Sequence, residues 1–179
     1  PLTKDLIPIA LPSHKNWATV FMNVTVHSYN TQLIKKEELP KSFNDLLDPK
    51  WKGKLGIESK AEEWYSKVIG VMGEEKGLKY FRELVAKNGL SARLGASLLH
   101  NLVIAGEVPL ALTVYIDLPE KDKRAGKPVD WFSIDPVVAQ GFNMSIAQKA
   151  QHPNAALLFY DYMLSNETQR LLTSLHYYP

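Results

Sequence analysis

The apolar positions of this chain change period several times, and each change marks an element. Asn16–Ser28, NWATVFMNVTVHS, is rich in Trp, Val, Thr and Phe and partly alternates, which predicts a strand or a strand pair. Tyr29–Thr31 reads as a turn and Lys35–Pro40 as a polar connector. Ser42 and Asp45 have the S-x-x-D spacing of a helix start, and Pro49 keeps that helix short. Lys54–Glu58 reads as a short strand. Ser59 and Glu62 form a second box, S-x-x-E, that opens a helix through about Met72. Leu78, Phe81, Leu84 and Val85 recur at helical spacing until Asn88–Gly89, a left-handed helix end. Gly95–Ala96–Ser97 leads into the stripe Leu98, Leu99, Leu102 and Val103, which Gly106 ends. Val108–Ile116, VPLALTVYI, is an almost unbroken β-rich apolar run and predicts a strand buried on both faces. Glu120–Arg124 is a charged helical piece. Val129–Ile134 and Phe142–Ala147 read as strands. Pro153 opens a helix over Ala155–Leu164, and Ser165 caps a last one through about Leu172. Strands alternate with helices, which predicts an α/β fold with mostly parallel sheets and helices on both faces.

Composition narrows the function classes. A chain of 179 residues suits one domain or two lobes, and 45% apolar with 22% charged residues is ordinary globular usage. The net charge is +2 and the basic residues are scattered, so no nucleic-acid partner is expected. The absence of cysteine excludes disulfides, thiol catalysis and Cys-type zinc sites. No apolar run reaches the ~20 residues that span a bilayer. Pro1–Ile9 lacks the basic and apolar regions of a secretory signal, so the sequence reads as a mature form or a fragment.

No enzyme motif is present: neither H-E-x-x-H, G-x-S-x-G, a P-loop nor G-x-G-x-x-G. His14, His27, His100, His152 and His176 lie far apart and read as surface or helix-face residues. Glu62 and Glu63 read as dipole-favourable charge at a helix start. More informative are the helix starts after strands, at Ser59 and at Gly95–Ala96–Ser97. Ligands of open α/β sheets bind beyond the carboxyl ends of strands, where helix N-termini present free N–H groups. Ser59 and Ser97 either cap or hold an anion. Arg93 is either a surface arginine or a fork-shaped donor to a carboxylate, phosphate or phosphonate. Trp64 and Tyr65 either join the core or wall a pocket. Tyr115, at the end of the buried strand, either packs or lines a cleft.

Several motifs, in order, resemble one family. LPKSFNDLLDPKWKGKLGIES resembles the entry to the second lobe of periplasmic solute-binding proteins of ABC importers, in the ferric-iron-type branch. The run stands here as Pro40, Ser42, Phe43, Asp45, Leu46, Asp48, Pro49, Trp51, Lys52, Gly53 and Lys54. GEEKGLKYFRELVAKNG, AGEVPLALTVY, GKPVDWFSIDPVVA and HPNAALLFYDYMLSNETQRLL are similar to later family segments. The resemblance covers about residues 29–175. It implies a type II periplasmic-binding fold of two lobes, the first incomplete here. Residues 1–30 would end the first lobe and make the first hinge crossing, 31–128 form the second lobe, 129–164 return to the first, and 165–179 form a C-terminal helix packing near the hinge. It implies capture of a small molecule or metal complex in an interlobe cleft by hinge closure, without catalysis or a required cofactor. The partners it implies are the membrane permease subunits of an importer. The implied location is periplasmic, or extracellular with a lipid anchor. Ligand contacts fall on Ser59, Trp64, Tyr65, Arg93, Gly95, Ser97 and Tyr115. Iron-binding members use adjacent tyrosines, whereas this chain has a single one in Thr113–Asp117, so Tyr115 is a metal ligand only if the cargo is ferric ion. The alternatives are the effector-sensing domain of a transcription regulator and an α/β enzyme. An incomplete first lobe leaves apolar surface open, so association with another copy or with a missing segment is expected.

Overall fold

The structure, a computed structural model, describes residues 6–7, 10–175 and 177. Pro1–Asp5, most of the stretch read for a secretory signal, and His176 lie outside the described residues. The strands are β1 (Ala18–Asn30), β2 (Leu55–Glu58), β3 (Ser91–Arg93), β4 (Leu110–Tyr115), β5 (Val129–Phe132) and β6 (Val138–Met144). The α-helices are α1 (Glu62–Met72), α2 (Glu74–Asn88), α3 (Ala96–Ile104), α4 (Asp117–Arg124), α5 (Pro153–Met163) and α6 (Asn166–Ser174). The chain divides into two compact units, Pro1–Asn23 with Ala139–Pro179, and Val24–Val138. They are called unit 1 and unit 2.

In unit 2 the strand order is β3-β2-β4-β1-β5. β2 is parallel to both neighbours, with Glu58 opposite Arg93 and Gly56 opposite Ala111, while β1 runs antiparallel to β4 and β5. The parallel part is the α/β core expected from alternating strands and helices. β4 is buried from Leu110 to Val114, as its unbroken apolar run predicts. α3 lies so close to β2 that a Cβ on Gly56 would meet Leu99 at 2.8 Å and Val108 at 2.6 Å.

The helices keep their places but turn slightly different faces inward. α2 buries Gly77, Tyr80, Phe81, Leu84 and Asn88, a 3.6-period stripe that leaves Val85 exposed. α3 buries Leu99, His100 and Val103 and exposes Leu98. The short helix after Ser42 is a 3-10 turn, Phe43–Leu47, with the Asp45 carboxylate accepting the Ser42 N–H at 2.9 Å. Pro49 does not stop the chain's coiling. It starts a second 3-10 turn, Pro49–Trp51, where the Asp48 carboxylate accepts from the Lys50 N–H.

This turn is tied down from α2. Asn88 donates to the carbonyls of Leu46 and Asp48 at 2.7 and 2.9 Å, and its own carbonyl accepts the Gly53 N–H at 2.8 Å. Trp51 is buried, and Lys50 lies 4.9 Å from its ring centroid. Gly53 has φ +73°, which lets the chain reverse into β2.

Unit 1 is sparser. β6 pairs with β1, and the Thr19 hydroxyl donates to Asn143 across the pair at 2.8 Å. Ala18, Val20, Leu164 and Leu172 form its small core. The expected helix starts are present, with Pro153 as the first residue of α5 and the Ser165 hydroxyl capping α6 by accepting the Thr168 N–H. Among the described residues no helix is long and apolar enough to cross a membrane.

Candidate functional site

The parallel register brings the carboxyl ends of β3, β2 and β4 together in unit 2. Arg93, Glu58 and Tyr115 therefore stand in sequence along one sheet edge, beside the N-terminus of α3. The Glu58 N–H donates to the Thr113 hydroxyl at 2.8 Å, which fixes β2 against β4 at this end.

Glu58 was not among the residues expected from sequence. Its carboxylate accepts the Gly95 N–H at 3.0 Å and the Lys60 N–H at 2.9 Å. It therefore occupies two backbone donors that an anionic ligand would otherwise meet. The signal was its position as the last residue of a strand just before a helix start.

Ser59 does not cap α1. Its N–H donates to the Arg93 carbonyl at 2.8 Å, so Ser59 extends the β2–β3 ladder and the helix starts later, with Ala61 at its cap and no side-chain capping bond. The Ser59 residue stays exposed at the sheet edge. Arg93 is also exposed, and its guanidinium donates to the Ala92 carbonyl at 3.0 Å.

Gly95 has φ +101° and precedes α3. Leu99 makes the first amide bond into this helix, to the Gly95 carbonyl, so the amides of Ala96, Ser97 and Leu98 have no partner within it. Ser97 is exposed in that first turn.

Tyr115 is 37% exposed. Burial, and then the carboxylates of Glu58, Glu63 and Asp117, hold its hydroxyl above the usual tyrosine range. Asp117, partly buried at the start of α4, is itself held above the ordinary carboxylate range by desolvation. The edge is thus polarised, with a guanidinium at β3 and a phenol among carboxylates at β4.

Trp64 does not wall a pocket. It is 3% exposed and packs edge-on or tilted against Phe43 and Phe81, each 5.9 Å away between centroids. A helix that starts at Glu62 rather than Ser59 turns its third residue straight into the sheet. Tyr65 is half-buried, 4.6 Å from Phe81.

Two of the histidines read as surface or helix-face residues, His27 on β1 and His100 on α3, are buried. The His27 Nδ1–H donates to the Leu112 carbonyl at 2.8 Å, and burial lowers its pKa to about 4, so the ring is neutral at physiological pH. His100 bonds Asp122 at 2.9 Å, and Asp122 also pairs with Lys127 at 2.8 Å. Both rings brace elements and stand apart from the sheet edge. Among the described residues no group of three or more His, Asp and Glu side chains is placed to hold a metal.

Comparison with known proteins agrees with this architecture. The chain is 30% identical over 100 residues to an Fe(3+)-binding periplasmic protein of Serratia marcescens, covering 54% of this chain and 29% of that one. It is 24% identical to iron uptake protein A1 of Synechocystis, covering 100% of this chain and 55% of that protein. Its fold superposes on iron-bound HitA from Pseudomonas aeruginosa with a TM-score of 0.82 at 23% identity, over 99% of this chain and 60% of that one. AfuA from Actinobacillus pleuropneumoniae, with exogenous fructose-6-phosphate bound, gives 0.81 at 22% identity, over 97% and 58%. These folds are type II periplasmic binding folds. The chain spans about half the length, or less, of the curated relatives it matches. Residues 3–179 match the family of carriers described as bacterial extracellular solute-binding protein, whose members bind rather than convert their ligands, and this chain belongs to that family.

Proposed function

We propose that this chain belongs to the solute-binding component of an ABC-type importer and that its sheet edge takes a small oxyanion, free or carrying a ferric ion. The observation that carries the reading is the row Arg93–Glu58–Tyr115 beside the open first turn of α3. The oxyanion lies against the Arg93 guanidinium, the Ser97 hydroxyl and the amides from Ala96 to Leu98, with Ser59, Gly95 and Tyr65 bordering it. Glu58 sits between this basic side and Tyr115. A free anion must therefore either avoid the Gly95 amide or displace Glu58 from it.

The Tyr115 hydroxyl, held protonated, donates to a neutral or anionic acceptor. A ferric ion would take the place of that proton and gain the nearby carboxylate charge, the hard oxygen environment such an ion prefers. Likeness to the Fe(3+)-binding protein of Serratia and the iron uptake protein of Synechocystis supports the ferric form, and the fructose-6-phosphate bound to AfuA supports a phosphate ester. Delivery to membrane permease subunits, from the periplasm or the outer cell surface, completes the proposal.

Calorimetric titration with fructose 6-phosphate, citrate and ferric citrate tests it. Arg93→Ala weakens any anion that binds by tenfold or more, about the 1.5–3 kcal/mol of a charge-assisted bond. Tyr115→Phe weakens the free anions less than it weakens ferric citrate, whose complex with the parent protein shows a visible tyrosinate-to-iron band. Equal affinity of both variants and parent for every bound ligand sinks the assignment.

A further inference from the structure

Glu58 ends β2 and is half-buried there. Each of its carboxylate oxygens accepts one backbone N–H, Oε1 from Gly95 at 3.0 Å and Oε2 from Lys60 at 2.9 Å. Its own N–H is fixed on the Thr113 hydroxyl at 2.8 Å. Gly95 lies in the turn from β3 into α3, and Lys60 in the turn from β2 into α1. One side chain therefore ties both turns that border the ligand edge. An ionised carboxylate offers about four acceptor sites, so roughly half of them remain, on a side chain already held in place.

Arg93 stands opposite Glu58 in the β2–β3 register, yet its guanidinium donates to the Ala92 carbonyl instead. Among the described residues neither side chain forms an ion pair. The edge thus keeps an uncommitted cation and an uncommitted anion side by side. Negative charge continues toward β4. After burial, the charges of Glu58, Glu63 and Asp117 are what hold the Tyr115 hydroxyl high. A ligand with negative charge alone is repelled across that half of the edge and finds the Gly95 and Lys60 amides occupied. A ligand with charge of both signs matches both halves.

We propose that Glu58 determines specificity at this edge: it holds the positive centre of a ligand whose oxyanion lies on Arg93 and the first turn of α3, and it disfavours oxyanions that carry none. The positive centre is an ammonium group or a chelated metal ion. The inference rests on the ligand edge proposed above and narrows its cargo.

Pairs of ligands that differ by one positive centre test it on the 179-residue chain: O-phosphoethanolamine against ethyl phosphate, and ferric citrate against citrate. Calorimetry gives the affinities, and proton–nitrogen spectra follow the Gly95 and Lys60 amides. In at least one pair the parent binds the member with the positive centre about tenfold tighter or more, and the pair that shows the gap tells ammonium from metal. Glu58→Gln, which removes the charge and keeps the size, narrows that gap to about threefold or less. Glu58→Ala frees both amides, so ethyl phosphate gains about tenfold and moves the Gly95 and Lys60 signals, which it leaves still in the parent. Glu58→Asp keeps the charge on a shorter arm and restores the preference, which decides the matter if the alanine variant unfolds. The inference is overturned, with the edge intact, if Arg93→Ala weakens a bound ligand while the Glu58 variants leave both gaps as in the parent. It is equally overturned if the parent prefers the free anion in both pairs. The edge itself fails, and the inference with it, if no ligand binds or if Arg93→Ala leaves every one as tight.

Discussion

Unit 2 and unit 1 draw on the same kinds of residue and pack them differently. In unit 2, Trp51, Leu46, Leu55, Leu84, Leu99, Leu110 and Leu112 are all at or below 2% exposure, because three parallel strands are covered by α1 and α2 in one cluster and α3 in another. In unit 1 the fully buried apolar residues are few, and none of them lies on the apolar helix α5. Apolar sequence alone does not make a core. It needs a second layer to close against, and the described part of unit 1 has little of one. The polar sheet edge proposed to hold ligand stands on the well-packed unit, where its geometry is fixed.

Removing the same side chain from each unit separates the two most strongly. Leu84→Ala, at a site with no exposure, costs about 2–5 kcal/mol, while Leu158→Ala on α5 stays within about 0.5 kcal/mol, measured by urea unfolding. Equal losses would show that α5 is packed after all.

Next in size is acid sensitivity, which belongs to unit 2 through His27. Its pKa falls from 6.5 to about 4 on folding, so between those values the unfolded chain binds more protons than the folded one. Stability is full above pH 6.5 and declines as pH falls toward 4, by at most about 3 kcal/mol from this one group. His27→Phe therefore flattens the change in melting temperature between about pH 7 and 4.5. An unchanged slope would mean that the ring is solvated.

Smaller effects probe how α2 organises unit 2. Asn88→Ala leaves the Leu46 and Asp48 carbonyls without their donor and costs about 1–3 kcal/mol, with faster exchange at Gly53. Gly77→Ala drives a Cβ to 2.8 Å from the Ile69 Cα on α1 and costs a similar 1–3 kcal/mol or so, whereas Gly70→Ala, which meets nothing, is neutral or mildly stabilising. A neutral Gly77→Ala would show that α1 and α2 are not in close contact.

Periodicity and end signals located the elements in both units. The run VPLALTVYI reads as a buried strand, since its nearly continuous β-branched and aliphatic residues leave no polar face for water. Ser165 and Pro153 marked helix starts because capping is chemistry local to one turn. The same local signal failed at Ser59, where pairing of β2 with β3 claimed the backbone first and moved the helix start on to Glu62. That shift carried Trp64 into the core.

Local chemistry along the chain was enough for the order of strands and helices, the absence of cysteine chemistry, and the residue types available at the strand ends. Its motifs also carried the family. Which of those residues meet depends on long-range pairing and packing. Glu58 becomes the partner of Gly95, 37 positions away, because a parallel register sets β2 beside β3 and turns both ends toward α3. His27 becomes neutral because β4 and the aromatic cluster remove its water. Spacing along a chain fixes local hydrogen bonds, whereas desolvation and long-range pairing depend on what the fold brings alongside.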